Sequence, residues 1–107
     1  MNFLLFAPFV ERLTGRPCDA EIDRRLVQLL RLGGTSVPRG DNPFLHGLHV
    51  HGYIEMPAGR LEDATVQNQS YAYGNGEMTS TVDDSEHLTS ALCAGRLLPA
   101  RLLRHVA

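Results

Sequence analysis

Gly47-Leu48-His49-Val50-His51-Gly52-Tyr53-Ile54-Glu55-Met56 is the stretch from which the fold is read. Leu48, Val50, Ile54 and Met56 alternate with His49, His51, Tyr53 and Glu55. A period of two is the signature of a strand with one face on a core and the other on water. Pro57-Ala58-Gly59 then reads as a turn. Residues 64 to 73, ATVQNQSYAY, read as a second strand, and Glu77 to Val82 as a third. Gly74-Asn75-Gly76 sits between them as a tight-turn signal, so Tyr71 to Val82 is expected to be a hairpin.

Helical patterns flank this centre. Pro8 suits the first turn of a helix ending near Gly15, with Phe9, Val10 and Leu13 on one face. Residues 19 to 32 carry Ile22, Leu26, Leu29 and Leu30 at helical spacing, with Asp19 as N-cap and Gly33-Gly34 as the stop. Residues 35 to 45 hold two prolines, Gly40, Asp41 and Asn42 and read as a loop. Asp83-Asp84-Ser85-Glu86 reads as a capping box with Asp83 as N-cap, opening a helix through Leu88, Ala91, Leu92 and Gly95. Pro99 breaks that helix, and residues 100 to 106 add a further turn or two. The expected fold is α+β in a single domain, 1–107. It has two N-terminal helices, a three-stranded antiparallel sheet, and a C-terminal helix packed on the sheet face that carries Leu48, Val50, Ile54 and Met56.

Composition narrows the function. The chain has 107 residues, a net charge of −2 and 43% hydrophobic residues, enough for one small core. All ten basic residues are arginine, which excludes Schiff-base and Walker A chemistry, both of which need lysine. The mild charge balance argues against a dedicated nucleic-acid binder. Cys18 and Cys93 are far apart and form no Cys-x-x-Cys pair, so both are expected to be reduced, partly buried thiols. The apolar start, MNFLLFAPFV, lacks a basic leader and is too short to cross a bilayer, so a cytoplasmic location is expected.

The histidine row is the chemically suggestive feature. His49 and His51 fall on one strand face about 7 Å apart, with Tyr53 and Glu55 continuing the row. Two imidazoles and a carboxylate form a donor set for zinc, iron or manganese, so His49, His51 and Glu55 are candidate ligands. His46 is a candidate fourth ligand or proton shuttle, and Tyr53 a hydrogen-bond donor. Without metal, the same face is a solvated sheet surface, or a proton-sensitive interface.

His49-Val50-His51-Gly52-Tyr53-Ile54-Glu55 resembles the first cupin motif, in which a His-x-His pair and a following glutamate bind metal. The cupin glycines and second motif are missing. Gly47-Leu48-His49-Val50-His51-Gly52 resembles the His-hydrophobic-His strand of rolling-circle replication endonucleases, which binds a divalent ion. The lysine usual beside the endonuclease tyrosine is absent here.

No catalytic constellation is complete, so the leading expectation is a non-enzymatic protein–protein interaction module: an adaptor, chaperone-like or inhibitor protein, as a homodimer. Tyr53 on the open sheet face, Phe44 in the loop, and Arg96, Arg101 and Arg104 at the basic end are its expected contact residues. Residues 55 to 87 hold seven acids and one arginine, whereas the last twelve residues hold those three arginines, His105 and no acid. The alternative is a small metal-dependent enzyme, cupin-like or nuclease-like, built on His49, His51 and Glu55.

Overall fold

A computed structural model describes residues 5–37, 45, 47–68, 73–74 and 76–106, apart from the side chain of residue 106. Phe44 and His46 therefore lie outside the described residues, as do Tyr71 and most of the loop at 38–44.

Helix α1 spans Phe6–Thr14, and the Gly15 N–H closes it on the Glu11 carbonyl at 2.8 Å. Pro8 lies in its first turn, as expected. Helix α2 covers Cys18–Ile22 and widens into a π-helical turn over Asp23–Gln28. A side-chain bond five residues long marks that widening: Gln28 Nε2 donates to Asp23 Oδ2 at 2.6 Å. The sequence pattern places the N-cap at Asp19, but Pro17 occupies it, and Asp19 Oδ1 accepts the Ala20 N–H at 2.7 Å instead. The helix also ends before Gly33-Gly34. Arg31 turns left-handed at φ 56°, and the Leu32 N–H reaches back to the Val27 carbonyl at 2.9 Å. That bond swings Leu32 into the core, where only 2% of it is exposed.

Helix α3 spans Val82–Cys93 and starts earlier than the Asp83-to-Glu86 box implies. Thr81 is the N-cap, its Oγ1 accepting the Asp84 N–H at 3.2 Å. The Asp84 carboxylate accepts the Gly34 N–H at 2.8 Å and the Thr35 hydroxyl at 2.7 Å. The start of α3 is thereby tied to the end of α2. Ser36 and Thr79 complete the tie with an antiparallel bridge. Helix α4, Ala100–Val106, begins directly after Pro99.

The core lies at this tie. Leu30, Leu32 and Ala91 are buried together, with Val27, Leu88 and Leu97 packed around them. A second close approach joins α1 to the segment before α3. Ala7 is fully buried against Gly74, which has φ +73°. A Cβ at Gly74 would stand 2.6 Å from that of Ala7, so neither the backbone angle nor the space admits a larger residue.

The sheet differs most from expectation. It has two strands among the described residues, β1 Tyr53–Glu55 and β2 Leu61–Asp63, antiparallel with Tyr53 opposite Asp63 and Glu55 opposite Leu61. The turn at Pro57–Gly59 is where the sequence places it. It brings the chain back within five residues, so the pairing partner of β1 is 61–63 rather than 64–73. The expected third strand at 77–82 makes the single Ser36–Thr79 bridge, because Thr81 and Asp84 commit the chain to α3. Neither α3 nor any other described helix covers Leu48, Val50 and Ile54. Leu48 is 106% exposed and Val50 89%, with Ile54 also exposed.

The molecule is elongated, at 54 × 30 × 25 Å with a radius of gyration of 16.1 Å. A compact chain of this length has a radius of about 13 Å. Its accessible surface is 8236 Å², against roughly 5,900 Å² for a compact monomer of this mass. Much of the excess is apolar: Leu5, Phe9, Leu13 and Leu29 are exposed beside Leu48, Val50 and Leu61.

Stability should follow this uneven burial. Leu30→Ala is expected to cost about 2–5 kcal/mol in urea unfolding, through lost burial and a residual cavity. Leu48→Ala is expected to change stability by less than about 0.5 kcal/mol, because the side chain contacts water.

Candidate functional site

Three chemical features stand out. The first is the histidine row. His49, His51 and Tyr53 stack in sequence order, with ring centroids 5.3 Å apart for the histidine pair and 6.5 Å for His51 and Tyr53. The row is set by the hairpin register. The ladder continues beyond β1 and β2 through the Ala64 N–H to the Gly52 carbonyl at 2.8 Å, and the Gly52 N–H donates to Thr65 Oγ1 at 2.9 Å. His51 then lies diagonally across from Asp63, and its Nδ1 meets Asp63 Oδ2 at 2.8 Å. The other oxygen of Asp63 accepts the Thr65 N–H at 2.9 Å. His49 Nδ1 meets the Gly47 carbonyl at 2.8 Å.

Hydrogen bonds from the Thr65 side chain and backbone, and then from His51, hold the Asp63 carboxyl down at about 2. It is therefore ionised over the ordinary pH range and can only accept.

Glu55 does not join the histidines. At a strand rise of about 3.3 Å per residue it lies roughly 13 Å along the chain from His51. Among the described residues, no three histidine, cysteine, aspartate or glutamate side chains are placed to hold one metal ion. The carboxylate the row does engage is Asp63. Its position is readable from the turn, since a turn centred on Ala58 sets Tyr53 against Asp63.

The second feature is a polar cluster between α1, α2 and the Tyr73–Glu77 segment, which composition and motif do not reveal. The Cys18 N–H donates to the Tyr73 hydroxyl at 3.0 Å and to Glu11 Oε1 at 3.3 Å, and the Tyr73 hydroxyl donates to Glu11. The Glu77 carboxylate accepts the Gly74 N–H at 3.1 Å and is buried. Burial, then the bond to Glu11, pushes the Tyr73 hydroxyl up to about 12. Burial, with Glu11, Glu77 and Asp19 nearby, raises the Cys18 thiol. Burial likewise raises Glu77, against the pull of the Gly74 N–H. Tyr73 and Cys18 are thus held in their neutral forms, so they brace α1 against the chain rather than supply a nucleophile. Glu21 is the contrasting case. It is buried but bonded to Arg25 at 2.5 Å and Arg24 at 3.2 Å, and these arginines lower its carboxyl.

The third feature is an open groove of about 1040 Å³ between α1, α2 and α3, walled by Val10, Leu13, Ile22, Leu26, Leu29, Leu88 and Leu92. Arg96 reaches its rim, whereas Arg101 and Arg104 are exposed on α4. Cys93, expected to be packed, is exposed, and both cysteines are free. No helix of the described residues is long and apolar enough to cross a membrane.

No family model matches the chain. Solved structures do. A D-stereospecific amidohydrolase from a Streptomyces species superposes on 95% of this chain with a TM-score of 0.87 and 31% identity. A D-amino acid amidase from Ochrobactrum anthropi SV3, complexed with D-phenylalanine, matches 94% of this chain with a TM-score of 0.75 and 22% identity. The same amidase with L-phenylalanine matches 94% with a TM-score of 0.73 and 26% identity. The chain spans only 30%, 31% and 29% of those proteins' own lengths. These likenesses overturn the expectation of a non-enzymatic, homodimeric interaction module. The fold is one found in amidohydrolases, in which the matching segment makes up less than a third of the protein.

The Asp63 network makes a pH prediction. A depressed carboxyl contributes stability that is in place above its unfolded value of about 3.9 and is lost as pH falls through its folded value, here about 2. Carboxyl-carbon NMR should show Asp63 titrating near 2. Thr65→Ala should raise that midpoint more than His51→Ala does.

Proposed function

We propose that these 107 residues form part of the body of an amidohydrolase that cleaves the amide bond of D-amino acid amides, adding water and releasing the D-amino acid and ammonia. The observation that carries this reading is the superposition of 95% of the chain on the Streptomyces enzyme at 31% identity.

The extent of exposed surface supports it independently. The chain exposes 8236 Å², roughly 2,300 Å² more than a compact monomer of its mass. Monomers seldom leave apolar surface on that scale to water. The exposed face of α1 and the groove beside it are open because, on this reading, the remaining two-thirds of an amidohydrolase body packs there. The described residues contribute scaffold: a helical layer, a braced α1 and a projecting hairpin.

The test is a chimera in which this chain replaces the matching segment of the Streptomyces enzyme. Its folding is checked by circular dichroism, and hydrolysis of D- and L-phenylalanine amide is followed by chiral chromatography. The expected result is a folded chimera that hydrolyses the D-amide in preference to the L-amide. A folded chimera with no amide hydrolysis, or with equal rates on both enantiomers, would overturn the proposal.

A further inference from the structure

The groove between α1, α2 and α3 is apolar along its floor and unbalanced in charge. Val10, Leu26, Leu88 and Leu92 are among its walls, and its charged lining residues are Arg24, Arg25 and Arg96 against one carboxylate, Glu21. That carboxylate is buried and already engaged. It bonds Arg25 at 2.5 Å and Arg24 at 3.2 Å, and Arg16 approaches it at 3.9 Å. One negative charge therefore answers several guanidiniums, and the groove is left positive. Arg24, Arg25 and Arg96 are exposed, and a guanidinium has five N–H donors, so each keeps donors for a further acceptor.

Shape narrows the occupant. A trough walled by helices takes a cylinder about 10–12 Å across, which is the diameter of a further helix. Sites for small molecules enclose roughly 300–1,000 Å³ and bury most of their ligand. This groove is larger, at about 1040 Å³, and open along its length. Leu13 and Leu29 line it and are largely exposed, where a helix laid along the trough would cover them. A helix that docks in a groove anchors through apolar residues at i, i+3, i+4 and i+7, and the residues beside that stripe meet the rims. Here the rims carry arginine. The remaining described helix, α4, does not line the groove, and the chain spans 30% of the Streptomyces enzyme.

We propose that the groove seats an amphipathic helix of the remaining amidohydrolase body, with its apolar stripe on Leu26, Leu29, Leu88 and Leu92 and its aspartate or glutamate side chains on Arg24, Arg25 and Arg96. This rests on the reading of the chain as part of such a body, and it states what that body presents here. Arginine holds a carboxylate through two parallel N–H bonds, so the pairing sets the register of the helix as well as attracting it. A helix flanked by lysine or arginine is rejected by the same three residues.

The experiment is fluorescence anisotropy of the tag-free chain with two labelled synthetic helices of about five turns. Both carry a leucine stripe at i, i+3, i+4 and i+7, and they differ only in the residues beside it, glutamate in one and lysine in the other. The expected result is saturable binding of the glutamate helix, at least about tenfold tighter than the lysine helix at low salt, with the gap narrowing as salt rises. Leu29→Asp should abolish binding, Arg96→Glu should narrow the preference for glutamate, and Arg101→Glu should change neither. These three side chains are exposed, so circular dichroism is expected to report intact folds. Absence of saturable binding, equal binding of the two helices, or binding that survives Leu29→Asp would overturn the assignment. So would sedimentation showing the groove already filled by a second copy that Leu29→Asp releases. Amide hydrolysis by the chimera is scored separately, so each result identifies which of the two claims fails.

Discussion

The contact of Leu30 and Leu32 with Ala91 is the interaction on which the rest of the structure depends. It is the point where the N-terminal helices meet the helix that follows the hairpin. It is reached through two backbone devices, the left-handed turn at Arg31 and the Thr81 cap, with Asp84 linking one to the other. The core around it is small. Among the described residues five apolar ones are buried: Ala7, Cys18, Leu30, Leu32 and Ala91. Two of these are alanines, so burial alone gives this chain a modest share of the stability of a self-contained domain. Apolar surface stays exposed on α1, in the groove beside it and on the hairpin.

That constraint explains which parts of the structure were legible in the sequence. Helix existence was legible, because periodicity and proline placement are local signals: α1 with Pro8, α2, α3 and α4 all fall where the pattern puts them, although α3 stops at Cys93, short of Gly95 and Pro99. Helix ends were less so. Pro17, Arg31 and Thr81 decide them, and each acts through a bond or a burial that is set by tertiary contacts. The alternation from Leu48 to Met56 was read as one strand with a covered face, whereas only Tyr53–Glu55 pairs and Leu48, Val50 and Ile54 stay exposed. Alternation reports that a face is built to be buried. It does not report which element covers that face, and among the described residues none does.

The same logic applies to function. Reading open surfaces as a dimer or adaptor interface assumed a self-sufficient domain, and the likeness to a segment of D-amino acid amidohydrolases removes that assumption. His49 and His51 were legible as a row because strand periodicity places them together. Asp63 was missed although the turn at Pro57–Gly59 that fixes its register is visible, because the second strand was placed at 64–73 instead of 61–63. The Glu11–Tyr73–Cys18 cluster has no local signal at all: its members are separated by up to 62 residues and meet only when α1 docks on Gly74.

If the chain is part of an amidohydrolase body, as proposed, the exposed apolar face of α1 packs against the remainder of that body. The unfolding midpoint of Leu13→Asp, measured in the chain alone and again in the chimera with the Streptomyces enzyme, tests it most directly. Leu13 is 70% exposed in the chain. The account predicts no change in the chain alone, and a loss of at least about 2 kcal/mol in the chimera, where the carboxylate would be buried without a partner. Equal effects in the two settings would contradict it.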